Sequence, residues 1–201
     1  MNKAAFLDRD GVINRKAPEG RYVTRWEEVE FYPGVGEAID LLKHDGFLVV
    51  IVTNQRCIAR GLVTAAEVEC MHRRMRLELE AAGARIDAVY YCPHGNQPPC
   101  SCRKPKPGML LQAARRYDVD LAESWMIGDS ASDVQAGRAA GCNTVQLTED
   151  VASLDGASDL AAVSLLDATH KILQVEATLH HSSWHILNVD WNSHLLAQHQ
   201  L

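Results

Sequence analysis

"FLVVIVTN", Phe47–Asn54, is a run of six apolar residues followed by a threonine and an asparagine. An unbroken, β-branched apolar run of this length reads as a strand buried on both faces, as in a parallel sheet covered by helices on either side. Thr53 and Asn54 then stand at its carboxyl end. Shorter runs of the same kind flank it: Ala4–Leu7, Ala88–Tyr91, Trp125–Ile127 and Thr144–Leu147. Helical stretches lie between them. Val35, Ala38, Ile39 and Leu42 share one helical face, and Asp45-Gly46 ends that helix. Thr64 and Glu67 form a capping box, each able to satisfy the other's backbone donor. The helix they open runs to about Ala82, where Gly83 stops it. Pro107 starts a further helix through Tyr117, and another covers about Asp133 to Ala140. Strands alternating with helices predict an α/β fold, a parallel sheet with helices on both faces.

Such folds bind ligands beyond the carboxyl ends of their strands. The residues found there are Asp8 and Asp10, then Thr53 and Asn54, then Cys92 onward, then Asp129 and Asp133. Acids from distant parts of the chain therefore meet at one edge. Two like charges about 4 Å apart cost roughly 4 kcal/mol at an effective dielectric of ~20. A cation among them removes that cost, and a set of oxygen ligands suits Mg²⁺, which keeps several waters and binds phosphates.

The bulk properties narrow the class. The 201 residues suffice for one domain with a real core, and the formal net charge of −6 gives no general affinity for nucleic acid or anionic membrane. No apolar run approaches the ~18 residues of a membrane span. The N-terminal "MNKAAFLDRDG" falls short of a signal peptide, so a cytoplasmic location is expected. Six cysteines in such a chain point to reduced thiols or a metal site rather than disulfides. Cys57, Cys70 and Cys142 are scattered and read as free thiols. Residues 175–201 form a tail that lacks Lys and Arg and holds five of the nine histidines. Within it, Ser182–Trp191 alternates like a half-buried strand.

"CPHGNQPPCSCRKPKPG", Cys92–Gly108, is different. Cys92, His94, Cys100 and Cys102 are four ligands, enough for a closed tetrahedral zinc site with no open position for water. Pro93, Pro98 and Pro99 exclude helix and strand, so the loop needs another means of holding its shape. The expectation is a structural zinc that fixes where Arg103 and Lys104 point.

"FLDRDGVIN", "VIVTNQ", "CRKPKPG" and "MIGDSASD" resemble, in order, the four motifs of haloacid dehalogenase-type phosphatases. The likeness runs from about Phe6 to Leu173. It implies a Rossmann-like sheet, with Asp8 as the nucleophile that forms an aspartyl-phosphate and Asp10 as acid, then base. It implies that Thr53 and Lys104 hold the phosphoryl group, that Asp8, Asp129 and the Asp10 backbone carbonyl bind Mg²⁺, and that Asp133 braces the site. About forty residues separate the first two motifs and about fifty the next two, leaving no room for a cap domain. A capless domain over 1–174 is expected.

"DRDGVIN", "CIARG", the C-x-H…C-x-C loop and "CRKPKPGM" further resemble the D-glycero-D-manno-heptose 1,7-bisphosphate 7-phosphatases, with histidinol-phosphate phosphatases as close relatives. This implies a small phosphorylated sugar as substrate, recognised by Arg103, Asn54 and a bordering loop from Lys16 to Tyr22. Arg15, Arg21, Arg56 and Arg60 are candidates for a remote phosphate. Two departures bear on substrate preference: Arg56-Cys57 replaces the usual Ser-Gly after "TNQ", and Ser130 replaces a lysine after Asp129. The alternatives are histidinol phosphate, or an open site acting on nucleic-acid ends or phosphoprotein. The assembly is expected to be a monomer or homodimer.

Overall fold

The computed structural model describes residues 1–149 and 158–178. Its first strand, β1 (Ala4–Leu7), is completely buried. A loop with one 3₁₀ turn, Trp26–Glu28, leads to α1 (Val35–His44), whose buried face is Val35, Ala38, Ile39 and Leu42. Then come β2 (Leu48–Asn54), a four-residue helix α2 (Arg56–Ala59) and α3 (Ala65–Ala81). Thr64 caps α3 as read from the sequence: its hydroxyl accepts from the Glu67 N–H, and the Glu67 carboxylate accepts from the Thr64 N–H. β3 (Ala88–Cys92), α4 (Gly108–Tyr117), β4 (Trp125–Gly128), α5 (Ala131–Ala140), β5 (Asn143–Leu147) and β6 (Leu160–Ala162) follow, with a last helix over 165–178.

All strand pairs are parallel and the order is β3-β2-β1-β4-β5-β6. The chain builds outward from β1 in one direction, returns, and builds outward in the other. The reversal lies between β1 and β4, the switch point at which doubly wound sheets open a crevice beyond their strand ends. Side chains alternate across the sheet. Phe6, Val50, Val52 and Met126 pack with Met109, Leu110 and Ala113 of α4 and Ala136 of α5. Leu7, Val49, Ile51 and Ile127, all buried, point to the other face. Burying one such side chain stabilises by about 1.5–3 kcal/mol.

Several boundaries differ from the sequence reading. β2 runs beyond its apolar stretch because Thr53 and Asn54 still pair with Tyr91 and Cys92. α5 begins before Asp133, since Ser130 is its N-cap and Asp133 closes the capping box. The chain divides into two compact units, of which Met1–Thr169 holds the six strands found among the described residues. Of the unit that starts at His170, the described part is the helical stretch 170–178. The segment Ser182–Trp191, expected to be a strand, lies outside the described residues. The loops after β1 and β2 hold no helical or sheet domain that could serve as a cap. Among the described residues, no helix is long and apolar enough to cross a membrane.

Candidate active site

The strand ends at the switch point deliver their side chains to one cleft of about 240 Å³, lined by Asp8, Asp10, Thr53, Asn54, Lys104, Asp129 and Asp133 together with Lys16, Arg21 and Tyr22. Lys104 is its hub. The side chain is buried, with Nζ 2.8 Å from Asp8 Oδ1 and 2.6 Å from Asp133 Oδ1, and it donates to the Val52 carbonyl at 2.7 Å. Burial opposes its charge, but the two carboxylates outweigh burial and raise its pKa. Asp8 is pushed up to about 6 by burial, against the pull of Lys104. Asn54 lines the cleft and also serves its hub. It clasps the Lys104 backbone, accepting from the N–H and donating to the carbonyl at 3.1 Å each.

Asp10 is gripped from several sides. Arg9 donates from Nε to Oδ1 (3.0 Å) and from Nη2 to Oδ1 (2.9 Å) and Oδ2 (2.7 Å). Asn14 donates to Oδ1 at 2.9 Å, and Gln55 to Oδ2 at 3.1 Å. Burial would raise this carboxyl, but the Arg9 guanidinium and these hydrogen bonds hold it below the usual carboxylate range. Gln55 also donates to the Thr53 hydroxyl at 2.9 Å, which fixes where that oxygen sits. Asp133 is buried; its Oδ2 accepts from the Ser130 N–H (3.1 Å) and hydroxyl (2.6 Å) while its Oδ1 faces Lys104. Gly128 lets this happen, since a Cβ there would run into Asp133.

The residues fit a divalent cation. Asp8, Asp129 and Asp133 each bring a carboxylate oxygen within 4.8 Å of the others. Asp129 Oδ1 is buried with no hydrogen-bond partner. Its other oxygen pairs with the Lys16 ammonium. Burial raises the Asp129 pKa although Lys16 opposes the rise. Hard oxygens in this number suit Mg²⁺.

The cysteine loop also fits a metal. Cys92, His94, Cys100 and Cys102 converge, with S···S separations of 3.7, 3.3 and 3.5 Å and N···S separations of 3.6 and 3.3 Å. Bonds of about 2.3 Å to a tetrahedral zinc place sulfurs roughly 3.8 Å apart, so the donor set is already close to those edges. The remaining cysteines, Cys57, Cys70 and Cys142, are unpaired thiols. Gly108 lets the start of α4 press on this loop, because a Cβ would collide with the Ser101 carbonyl.

Other expected residues lie elsewhere. Arg103 donates to the His94 carbonyl at 3.4 Å and does not line the cleft, nor does Arg56, the first residue of α2. Arg15 pairs with Glu30 at 2.7 Å in a neighbouring hollow. Tyr22 does border the cleft and carries Arg60 over its ring at 5.4 Å. The sequence places Lys16 only at the start of a bordering loop and assigns no role to Arg9 or Gln55. The signal for Arg9 is its place between Asp8 and Asp10, and for Gln55 its place two residues after Thr53.

A HAD-hydrolase-like family profile matches residues 101–168. A D-glycero-beta-D-manno-heptose-1,7-bisphosphate 7-phosphatase of Rhodopseudomonas palustris is 46% identical over 145 residues, 69% of this chain and 79% of that protein. A D-glycero-alpha-D-manno-heptose-1,7-bisphosphate 7-phosphatase of Mycobacterium tuberculosis is 39% identical over 166 residues, 80% and 86% of the two chains. Among solved structures, the D,D-heptose 1,7-bisphosphate phosphatase of B. bronchiseptica, complexed with magnesium and phosphate, superposes with a TM-score of 0.77 at 37% identity. It covers 86% of this chain and 98% of its own.

Proposed function

We propose, from the premise that this chain belongs to the D-glycero-D-manno-heptose-1,7-bisphosphate 7-phosphatase family of haloacid dehalogenase-like hydrolases, that it removes the 7-phosphate of such a heptose bisphosphate. The observation that carries the reading is the carboxylate of Asp8 held against Lys104 at the switch point, with Asp10 two residues on and the Thr53 hydroxyl beside it. An Asp8 oxygen forms a bond to phosphorus while the bond from phosphorus to the sugar oxygen breaks. Asp10 gives that oxygen its proton. It must carry that proton in the reacting complex, although Arg9 and its other hydrogen-bond donors favour the ionised form that the second step uses as base. In the second step a water oxygen bonds to phosphorus, the aspartyl bond breaks, and the water's proton passes to Asp10. Lys104 and Thr53 meet the charge on the phosphoryl oxygens throughout.

Asp8, Asp129 and the Asp10 backbone carbonyl would hold Mg²⁺, which when bound supplies further positive charge to the transferring group. Cys92, His94, Cys100 and Cys102 would hold a structural zinc. Lys16 and Arg21 on the cleft wall, with Arg60 behind Tyr22, supply cations for the phosphate that stays. Arg103 and Arg56 would reach a bound sugar only by turning from their present positions.

The test is phosphate release with Mg²⁺ from both anomers of the heptose 1,7-bisphosphate, histidinol phosphate, a phosphopeptide and a phosphorylated oligonucleotide. One heptose anomer should exceed the non-sugar substrates in kcat/KM by about 10²-fold or more, the scale of discrimination that a few matched polar contacts supply. Asp8→Asn should lose at least about 10³-fold in kcat while staying folded, as loss of a nucleophile does elsewhere. Preference for histidinol phosphate, or an active Asp8→Asn, would defeat the reading.

A further inference from the structure

We infer that His72, on α3, is a positioning residue for the acid–base carboxylate: it fixes the Arg9 guanidinium, and through it the aim of Asp10. The inference rests on the reading of Asp10 given above. It starts from a buried arginine. Arg9 is only 3% exposed, so each of its donors needs an acceptor. Nε and Nη2 are spent on Asp10. Nη1 points the other way and lies 3.1 Å from His72 Nε2, 63 residues along the chain.

Arginine stays protonated and offers only donors. His72 Nε2 must therefore accept, which makes the imidazole neutral with its proton on Nδ1. The surroundings agree, since burial first and the Arg9 charge second hold the ring in its neutral form. The ring has a second fixed side. It packs edge-on to Tyr91 of β3 at 5.6 Å between centroids, and the Tyr91 hydroxyl donates to Glu69 on α3 at 2.7 Å. Along α3 the buried residues are Val68, Met71, His72, Met75 and Leu79. A histidine breaks this otherwise apolar stripe at the one place where Arg9 needs an acceptor.

Removing that acceptor leaves a buried, charged donor without its partner. The guanidinium would turn to find another partner, and Asp10, tied to it by three hydrogen bonds, would turn with it. A general acid contributes roughly 10²–10⁴-fold, and a displacement near 1 Å can cost about 10²-fold. The loss should fall on substrates whose leaving oxygen must be protonated.

The experiment measures kcat on the heptose 1,7-bisphosphate, whose alkoxide needs a proton, and on 4-nitrophenyl phosphate, whose leaving group does not. The proteins are the parent, His72→Leu, His72→Gln and Asp10→Asn, each checked by thermal melting. His72→Leu should lose about 10- to 100-fold on the sugar phosphate and under about threefold on the aryl phosphate, a misaimed acid rather than a damaged fold. His72→Gln should restore the sugar reaction to within about threefold, because its carbonyl oxygen can accept from Nη1. If His72→Leu does not fold, His72→Met carries the same comparison, since a thioether fills the space and accepts only weakly. Equal losses on both substrates, or none, overturn the proposal. Asp10→Asn separates the two levels of failure. If it shows the leaving-group dependence and His72→Leu does not, only the role of His72 is wrong; if Asp10→Asn lacks it, the assignment of Asp10 falls as well.

Discussion

A neutral imidazole inside the protein leaves a mark on its stability. His72 is held at about 3 by burial and by Arg9, with Asp10 pulling the other way, while an unfolded histidine titrates near 6.5. Between those values the unfolded chain binds the extra proton. The stability linked to His72 is therefore complete above about 6.5 and is lost as pH falls toward about 3. Asp8, raised to about 6, works in the opposite sense, so the informative quantity is a difference between proteins. The urea midpoint should fall from pH 7.5 to 5 more steeply in the parent than in His72→Gln; parallel declines would clear His72 as the source. At this scale the sequence was only partly legible. Asp8, Asp10, Thr53, Lys104 and Asp129 were readable as cleft residues because each follows a strand or stands in a motif. Arg9 and His72 were not, because their partnership spans 63 residues and a lone histidine at helical spacing looks like core. Arg103 shows the converse: a cation next to a motif residue need not point where its neighbour does.

The cysteine loop is an element with almost no secondary structure of its own. Its shape rests on side chains: the four converging ligands, the Lys106 ammonium on the Cys100 carbonyl at 2.7 Å, and the Asn54 clasp on Lys104. Purified protein should carry about one zinc per chain, and Cys100→Ser should release it because a closed four-ligand site does not tolerate a lost thiolate. Far-UV circular dichroism should stay unchanged while kcat falls by up to about 10²-fold, the cost of a misplaced cation. A zinc-free protein with full activity would mean that Asn54, Asp8, Asp133 and the Val52 carbonyl keep Lys104 in place without the metal. The loop's donors could be read from their spacing. Asn54 could be read as a strand-end residue facing substrate, but its clasp on Lys104 could not, since those hydrogen bonds run to backbone fifty residues away. Elsewhere, the α3 cap was legible because Thr64 and Glu67 form a local pair. β6 and α2 were missed: three residues of Leu-Ala-Ala and four of Arg-Cys-Ile-Ala are too short to show a period.

For the whole molecule, alternating strands and helices announced a parallel sheet, but strand order is a tertiary fact that no local pattern carries. Its effect is to gather the site from both halves of the first unit, with every cleft residue lying between Asp8 and Asp133. Among the described residues the last strand ends at Ala162. A chain ending after Thr178 should therefore melt cooperatively and release phosphate from the heptose bisphosphate within about twofold of the full chain, the cleft and its supports being intact. A tenfold loss in the shortened chain would assign residues 179–201 a part in the reaction.

The central place of β1 also has a consequence in time. One of its neighbours, β2, begins 44 residues after it, with Ala4 opposite Leu48, but on the other side Ala5 lies opposite Trp125. At about 5–20 residues per second, β4 leaves the ribosome roughly 6–24 seconds after β1. Throughout that interval one edge of a wholly apolar strand has no strand to pair with, and an open edge invites pairing with other chains. The strand that leads to the nucleophile is thus made first and waits longest for its second neighbour.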